Sequence, residues 1–220
     1  MNTMKISLSD RVYETLEDAI LDGKYAAGEY LTEIKLSEEL GVSRTPIREA
    51  LHRLAQEGLI EETTRGVLVV GISEDDIAVI YEIRARIEGY AARLFTERVT
   101  DDMIRELQDN IELQEFYKDR DSALNSRNLD TRFHEVIYKN CGSRILEDML
   151  LSLHRKVRRC RLLLLEDHER AKQAAVEHRD ILEAIKNRDG ELAETLVIRH
   201  IRDASRSIIE KLRNKDGGEK

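Results

Sequence analysis

The chain of 220 residues has one proline, Pro46, no tryptophan, two cysteines and only 5% aromatic residues. A single proline and 11 glycines leave few points at which a helix must break, and the shortage of strand-forming residues nearly excludes an all-β fold. Cys141 and Cys160, without any C-x-x-C pair, fit small apolar residues in a reducing compartment rather than a disulfide framework. Apolar runs such as Leu162–Leu165 fall far short of the roughly 20 residues that span a bilayer. No N-terminal stretch has the apolar character of a signal peptide. The expectation is a soluble, cytoplasmic protein with no membrane partner.

What is present in abundance is charge. Residues Asp, Glu, Lys and Arg make up 36% of the chain, and 36 basic against 44 acidic residues give a net charge of −8. Such a balance argues against a protein that coats nucleic acid by charge alone. The length is that at which one core begins to divide into two domains, and the pattern of residues divides near Gly71-Ile72-Ser73.

Residues 8 to 71 read as three short helices followed by a β-hairpin. Leu8, Val12, Leu16, Ala19 and Ile20 recur at helical spacing before Gly23, and a second helix follows Thr32, carries Leu36 and Leu40, and stops at Gly41. Ser43 is placed to cap a third helix, Pro46 falls in its first turn, and Ile47, Ala50, Leu51 and Leu54 form its apolar stripe. This is a helix, a tight turn and a helix. Leu59–Thr63 and Val67–Val70, around Thr64-Arg65-Gly66, then read as a hairpin of the kind that forms a wing.

On the third helix Thr45, Arg48 and His52 project opposite the apolar stripe, with Arg44 beside them. Arginines in that position can donate two hydrogen bonds to guanine O6 and N7 in a major groove, and Ser43 with the helix N-terminal amides can hold a phosphate. An arbitrary helix with the same arginines is more often simply solvated. The flanking sequence decides between these readings. The stretch Leu36–Leu59, LSEELGVSRTPIREALHRLAQEGL, resembles the winged helix-turn-helix of GntR-family bacterial transcription regulators. The resemblance implies that Arg44, Thr45 and Arg48 read or grip a double-stranded DNA operator and that the wing tip, Arg65-Gly66, enters the minor groove. Ile34 stands where some members of the family carry an arginine. Residues 1 to 73 hold eight basic and thirteen acidic residues, a net −5. DNA binding is therefore expected to rest on a local patch of Arg44, Arg48, His52, Arg53 and Arg65 opposed by few acids, with few phosphate contacts and a modest salt dependence.

From Ser73 to about Leu212 the pattern is helical throughout, with further helices expected from about Thr100, Asp121, Ser143, His168 and Gly190 and a frayed tail from Asp216. The first of these helices, opened by Glu74, Asp75 and Asp76, carries Ile77, Ile80, Tyr81, Ile87, Ala91, Leu94 and Phe95 on one face, with Arg84 and Glu88 in the middle of that stripe. Two readings stand side by side: a buried i, i+4 ion pair, or an anion-binding pocket containing Arg84. Asp130 and His134 share a helix face, while His178 and His200 each lie centrally in an apolar stripe. One inward histidine is commonly a satisfied core residue. Three with an aspartate favour a metal site. His154 opens the basic run HRKVRRCR, read as a solvated or interface surface, and neither His52 nor His168 has an identifiable partner.

The segments YEIRARIEGYAARL, DTRFHEVIY, EHRDILEAI and HIRDASRSI resemble the FCD ligand-binding domain that accompanies this winged helix in one GntR subfamily. The resemblance implies that Asp130, His134, His178 and His200 hold a divalent metal ion (Zn, Ni or Mn), with coordination positions left for a small carboxylate effector that Arg84 could also contact. The fold expected is mostly α: a winged helix-turn-helix over 1–71 and an all-α, FCD-like bundle over 72–220. The functional reading is a homodimeric, effector-controlled transcription regulator on a near-palindromic operator. Two competitors are a metal-dependent hydrolase tethered to DNA and a regulator whose metal is purely structural.

Overall fold

The computed structural model describes residues 7–70, 74–117, 123–157 and 168–216. The joint at Ile72-Ser73, the predicted helix start at Asp121, Cys160, most of the basic run after His154 and the tail beyond Asp216 lie outside them. The chain separates into two compact units, Met1–Ile72 and Ser73–Lys220.

In the first unit, α1 (Leu8–Leu21) is opened by a reciprocal cap in which Ser7 and Asp10 each bond the other's backbone amide. Thr32 accepts from the Lys35 amide to start α2 (Glu33–Leu40), which Gly41 ends in the left-handed conformation. Helix α3 (Arg44–Gln56) follows, with Ser43 in the extended N-cap conformation but without a side-chain cap bond, so its hydroxyl does not cap the helix as the sequence suggested. The hairpin of β2 (Ile60–Thr63) and β3 (Gly66–Val69) is joined by a strand the sequence did not reveal, β1 (Tyr30–Leu31). The sheet order is β1-β3-β2, antiparallel throughout, with Leu31 opposite Val67 and Thr63 opposite Gly66. Val12, Leu16, Ile20, Leu36, Ile47, Leu54 and Val69 close one core beneath helices and sheet.

The second unit is all-helical among the described residues: α4 (Glu74–Arg98), α5 (Asp101–Tyr117), α6 (Ala123–Asn140), α7 (Arg144–Lys156), α8 (His168–Lys186) and α9 (Gly190–Asp216). Caps mark several starts, Thr100 accepting from the Met103 amide, Ser143 from Leu146 and Asp189 from Leu192. Helices α4 and α9 pack most extensively, and Gly89 allows the close approach. A Cβ built there would lie 2.7 Å from Ile198 Cγ1 and 3.2 Å from the Glu194 carbonyl oxygen. The inner faces of α4, α5, α6, α8 and α9 bury Tyr81, Phe95, Leu107, Phe133, Ile181 and Val197. A layer of polar and ionisable side chains lies within this apolar interior.

Candidate metal centre and nucleic-acid interface

Helix α6 contributes Asp130 and His134, α8 contributes His178 and α9 contributes His200, and the structure brings these four together. One ligand atom from each lies within 4.8 Å of every other, and the three histidines are buried. Tetrahedral ligands at about 2.1 Å from a zinc ion stand ~3.4 Å apart, so the cluster needs only a slight contraction to close around a cation. His178 Nε2 lies 3.8 Å from Asp130 Oδ1, and Phe133 stacks on the His178 ring at a centroid distance of 3.9 Å.

The outer nitrogens of the histidines explain which atoms face inward. His200 Nδ1 donates to Glu177 Oε2 at 2.6 Å, and Glu177 is itself held by Arg170 at 3.0 Å. His178 Nδ1 donates to Gln114 Oε1 at 2.9 Å. Gln114 presents its oxygen because its amide nitrogen donates to Asn110 Oδ1 at 2.7 Å, while Asn110 Nδ2 donates to the Leu129 carbonyl. His134 Nδ1 faces Glu88 Oε2 at 3.3 Å. In His178 and His200 the Nδ1 proton is given to an acceptor, which leaves the Nε2 lone pair as the one a metal would take. Burial holds the His200 pKa well below its usual value, reinforced by His134 and Arg170, so the ring stays neutral and available as a ligand. The donor set, one carboxylate and three oriented imidazoles, fits a divalent ion of the Zn, Ni or Mn class.

Glu88 connects this cluster to Arg84. Arg84 Nε donates to Glu88 Oε1 at 2.6 Å, and the two side chains are only 2% and 1% exposed, so the i, i+4 pair is a buried ion pair. Burial opposes the charge on Glu88, but Arg84, and after it His134, hold its carboxyl well below the usual carboxylate range. The guanidinium also lies 4.7 Å from the Tyr81 ring centre. Arg84 Nη1 is nonetheless buried without a hydrogen-bond partner among the described residues, as is His154 Nε2. His154 is thus no part of a solvated basic surface. Leu150 and His154 on α7 and Val157 just past its end are buried together, and the His154 ring centre stands 5.9 Å from that of His134. Its proton affinity is depressed by burial and then by Arg84.

In the first unit Ser43, Arg44, Thr45 and Arg48 are exposed along the start of α3, and Arg65 is exposed at the wing tip. Gly66 has a structural role of its own: its φ is +126°, and a Cβ there would lie 2.5 Å from the Leu31 carbonyl oxygen, so the wing closes on β1 only with glycine. The basic patch is not free of acids. Arg48 donates Nε to Glu33 Oε1 and Nη2 to Glu33 Oε2, both at 2.8 Å, while Arg44 donates Nε and Nη2 to Glu33 Oε2 at 3.1 and 2.9 Å. Arg53 is bound to Asp10 at 2.7 Å, and His52 lies 3.7 Å from Glu62 and 3.3 Å from Gln56, so it does have partners. Ile34, at the position where an arginine stands in some of the regulators that the sequence resembles, is exposed. The arginines, first Arg48 and then Arg44, lower the Glu33 pKa to about 2.

A helix-turn-helix with a three-stranded wing, followed by a helical unit built around a cluster of one aspartate and three histidines, defines a two-part regulator. Comparison with known proteins gives the family. Residues 8–70 match the bacterial regulatory proteins of the gntR family, and residues 79–203 match the FCD domain. The chain belongs to the GntR family, in its FCD-containing branch, and is a DNA-binding transcription regulator rather than an enzyme. Among its relatives, the gluconate operon transcriptional repressor of Bacillus licheniformis is 30% identical over 196 residues, 86% of this chain and 79% of that protein. The HTH-type transcriptional repressor RspR of Escherichia coli K12 is 28% identical over 202 residues, 91% of this chain and 89% of that protein. Among solved structures, E. coli McbR/YncC shares the fold with a TM-score of 0.81 at 23% identity, over 94% of this chain and all of that one. No described helix is long and apolar enough to cross a membrane.

Proposed function

We propose that this chain is a homodimeric repressor whose affinity for a near-palindromic operator is set by a small carboxylate bound at a divalent metal ion in the helical unit. Asp130, His134, His178 and His200 are the proposed metal ligands. A bound cation of this class would supply a fixed positive charge and exchangeable coordination positions to a carboxylate oxygen. Arg84 is the proposed second anchor. The observation that carries the effector reading is the pairing of a preoriented donor cluster with a buried guanidinium nitrogen, Arg84 Nη1, that has no hydrogen-bond partner among the described residues. His154 Nε2, equally buried and unpartnered, adds a second polar group for the same ligand.

Ser43, Arg44, Thr45 and Arg48 at the start of α3, with Arg65 and Gly66 on the wing, are the proposed DNA contacts, and the exposure of all but the half-buried Gly66 supports that assignment. The dimer is supported by an exposed apolar stripe on α4, Val79, Ile83 and Tyr90, since two-fold pairing matches two operator half-sites. The names of the relatives just given support repression. Control follows if the loaded helical unit favours one arrangement of the paired winged units, a coupling typically of about 1–3 kcal/mol.

The test is operator binding by wild type and His178→Ala, with operator duplex obtained by selection from random sequence, metal supplied or removed by a chelator, and a panel of small mono-, di- and tricarboxylates. At least one acid is expected to shift the affinity of metal-loaded wild type roughly 5- to 150-fold and to leave His178→Ala unmoved. A domain that melts on chelation while no acid alters operator affinity supports a structural metal instead.

A further inference from the structure

Arginine carries five N–H donors in two two-donor edges: Nε with Nη2, and Nη1 with Nη2. In both arginines at the start of α3 the first edge is occupied by the same carboxylate. Glu33 takes Nε and Nη2 of Arg48 with its two oxygens, and Nε and Nη2 of Arg44 with Oε2. Glu33 is itself fixed in the first turn of α2, immediately after the Thr32 cap. Its side chain is one-quarter exposed, whereas those of Arg44 and Arg48 are 58% and 66% exposed. Two long side chains that would otherwise sweep the solvent are held by one short, anchored acid, and each retains its Nη1–Nη2 edge. That edge has the spacing to donate to guanine O6 and N7 together.

We propose that Glu33 is a specificity-determining residue of the DNA interface: a positioning residue that holds Arg44 and Arg48 edge-on for guanine. The proposal rests on the reading that these two arginines face the bases. Its energetic logic is that of preorganisation. An arginine free to rotate can satisfy itself on any phosphate, which adds affinity without sequence information, whereas one whose inner edge is neutralised by a carboxylate gains less from phosphate and keeps the geometry that distinguishes guanine. Glu33 also places a negative charge where the DNA backbone approaches, and so lowers affinity for duplexes of the wrong sequence.

The experiment uses the full chain, a random-sequence duplex pool to obtain the preferred site, and competition against versions of that site with each G·C pair changed in turn to A·T. A good two-donor contact to guanine discriminates by roughly 5- to 150-fold. Glu33→Gln, matched in size, is expected to bind random duplex at least as tightly as wild type, with a steeper salt dependence. Its discrimination at the guanines should fall about tenfold. Arg48→Lys, which keeps the charge and loses the fork, should lose the same discrimination, and adding Glu33→Gln to it should cause no further loss at that base pair. If Glu33→Gln tightens binding to every duplex equally and keeps its guanine preference, Glu33 is only a competitor for DNA and the proposal is wrong. If Arg44→Lys and Arg48→Lys both leave guanine selection intact, the assignment of the arginines to the bases fails beneath it.

Discussion

Removing Glu88 isolates a charge that the helical interior cannot solvate. Arg84 is 2% exposed, its Nε gives its 2.6 Å bond to Glu88, and its Nη1 already has no hydrogen-bond partner among the described residues. In Glu88→Ala the guanidinium keeps the Tyr81 ring face but no carboxylate to balance its charge. Breaking one side of a buried ion pair costs about 3–5 kcal/mol. For a unit of this size that corresponds to a fall in melting temperature of roughly 6–20 °C. The assay is differential scanning calorimetry of wild type, Glu88→Ala and the double variant Arg84→Met/Glu88→Leu, all in chelator so that metal does not contribute. The double variant, which removes both charges together, should melt within ~1 kcal/mol of wild type or above it. A Glu88→Ala protein that melts within ~1 kcal/mol of wild type would mean that Arg84 reaches water or another anion and is not left as an isolated buried charge. Without chelator Glu88→Ala should also bind metal about 10–100-fold more weakly, since His134 loses the acceptor that faces its Nδ1.

Gly89→Ala should lower stability by about 1–3 kcal/mol despite alanine's better helix propensity, because its Cβ would meet Ile198 Cγ1 at 2.7 Å and the Glu194 carbonyl at 3.2 Å. Calorimetry of Gly89→Ala with and without Ile198→Ala checks this, the second change relieving the clash. Gly66→Ala should open the wing, since its Cβ would lie 2.5 Å from the Leu31 carbonyl oxygen and its φ of +126° suits only glycine; loss of the Leu31–Val67 pairing in NMR amide exchange would report it. The folded pKa of Glu33, about 2, lies below its ordinary 4.5. Its clamp therefore stabilises the winged unit fully above the unfolded value and loses that contribution as pH falls through 4.5 toward 2. Acid titration should show a shallower loss of stability in Glu33→Gln than in wild type, and identical acid limbs would contradict the ion-pair assignment.

How much of this was legible in the sequence depends on how local each signal is. Helices α2 and α3 announce themselves by Thr32, Gly41 and Pro46, whose effects act within one turn. Strand β1 does not, because two residues, Tyr30 and Leu31, become a strand only by pairing with Leu68 and Val67 far along the chain. His178 and His200 are legible because each interrupts an apolar stripe, Asp130 and His134 because their i, i+4 spacing puts them on one helix face, and the resemblance to the FCD domain joins the four into one set. Gln114 and Glu177 carry the same kind of signal, Gln114 beside Leu107 and Ile111 on the buried face of α5, and Glu177 next to His178. Neither stands out, because amides and acids on helices are usually solvated. His154 is hidden for a related reason: its basic neighbours suggest a surface, while its spacing from Leu150 and Val157 is that of a buried face. The Glu33 clamp needs the turn between α2 and α3 to be folded before an acid 11 and 15 positions away can reach Arg44 and Arg48.

The proposed function requires a metal-assisted carboxylate site inside a dimeric DNA-binding regulator. Native mass spectrometry of the full chain, purified without chelator, tests it most directly. The expected spectrum shows a dimer mass carrying one divalent ion per chain and a small acid that leaves together with the metal in His134→Ala and His178→Ala. A metal-free mass after incubation with Zn, Ni and Mn in turn, unchanged by either substitution, would contradict it.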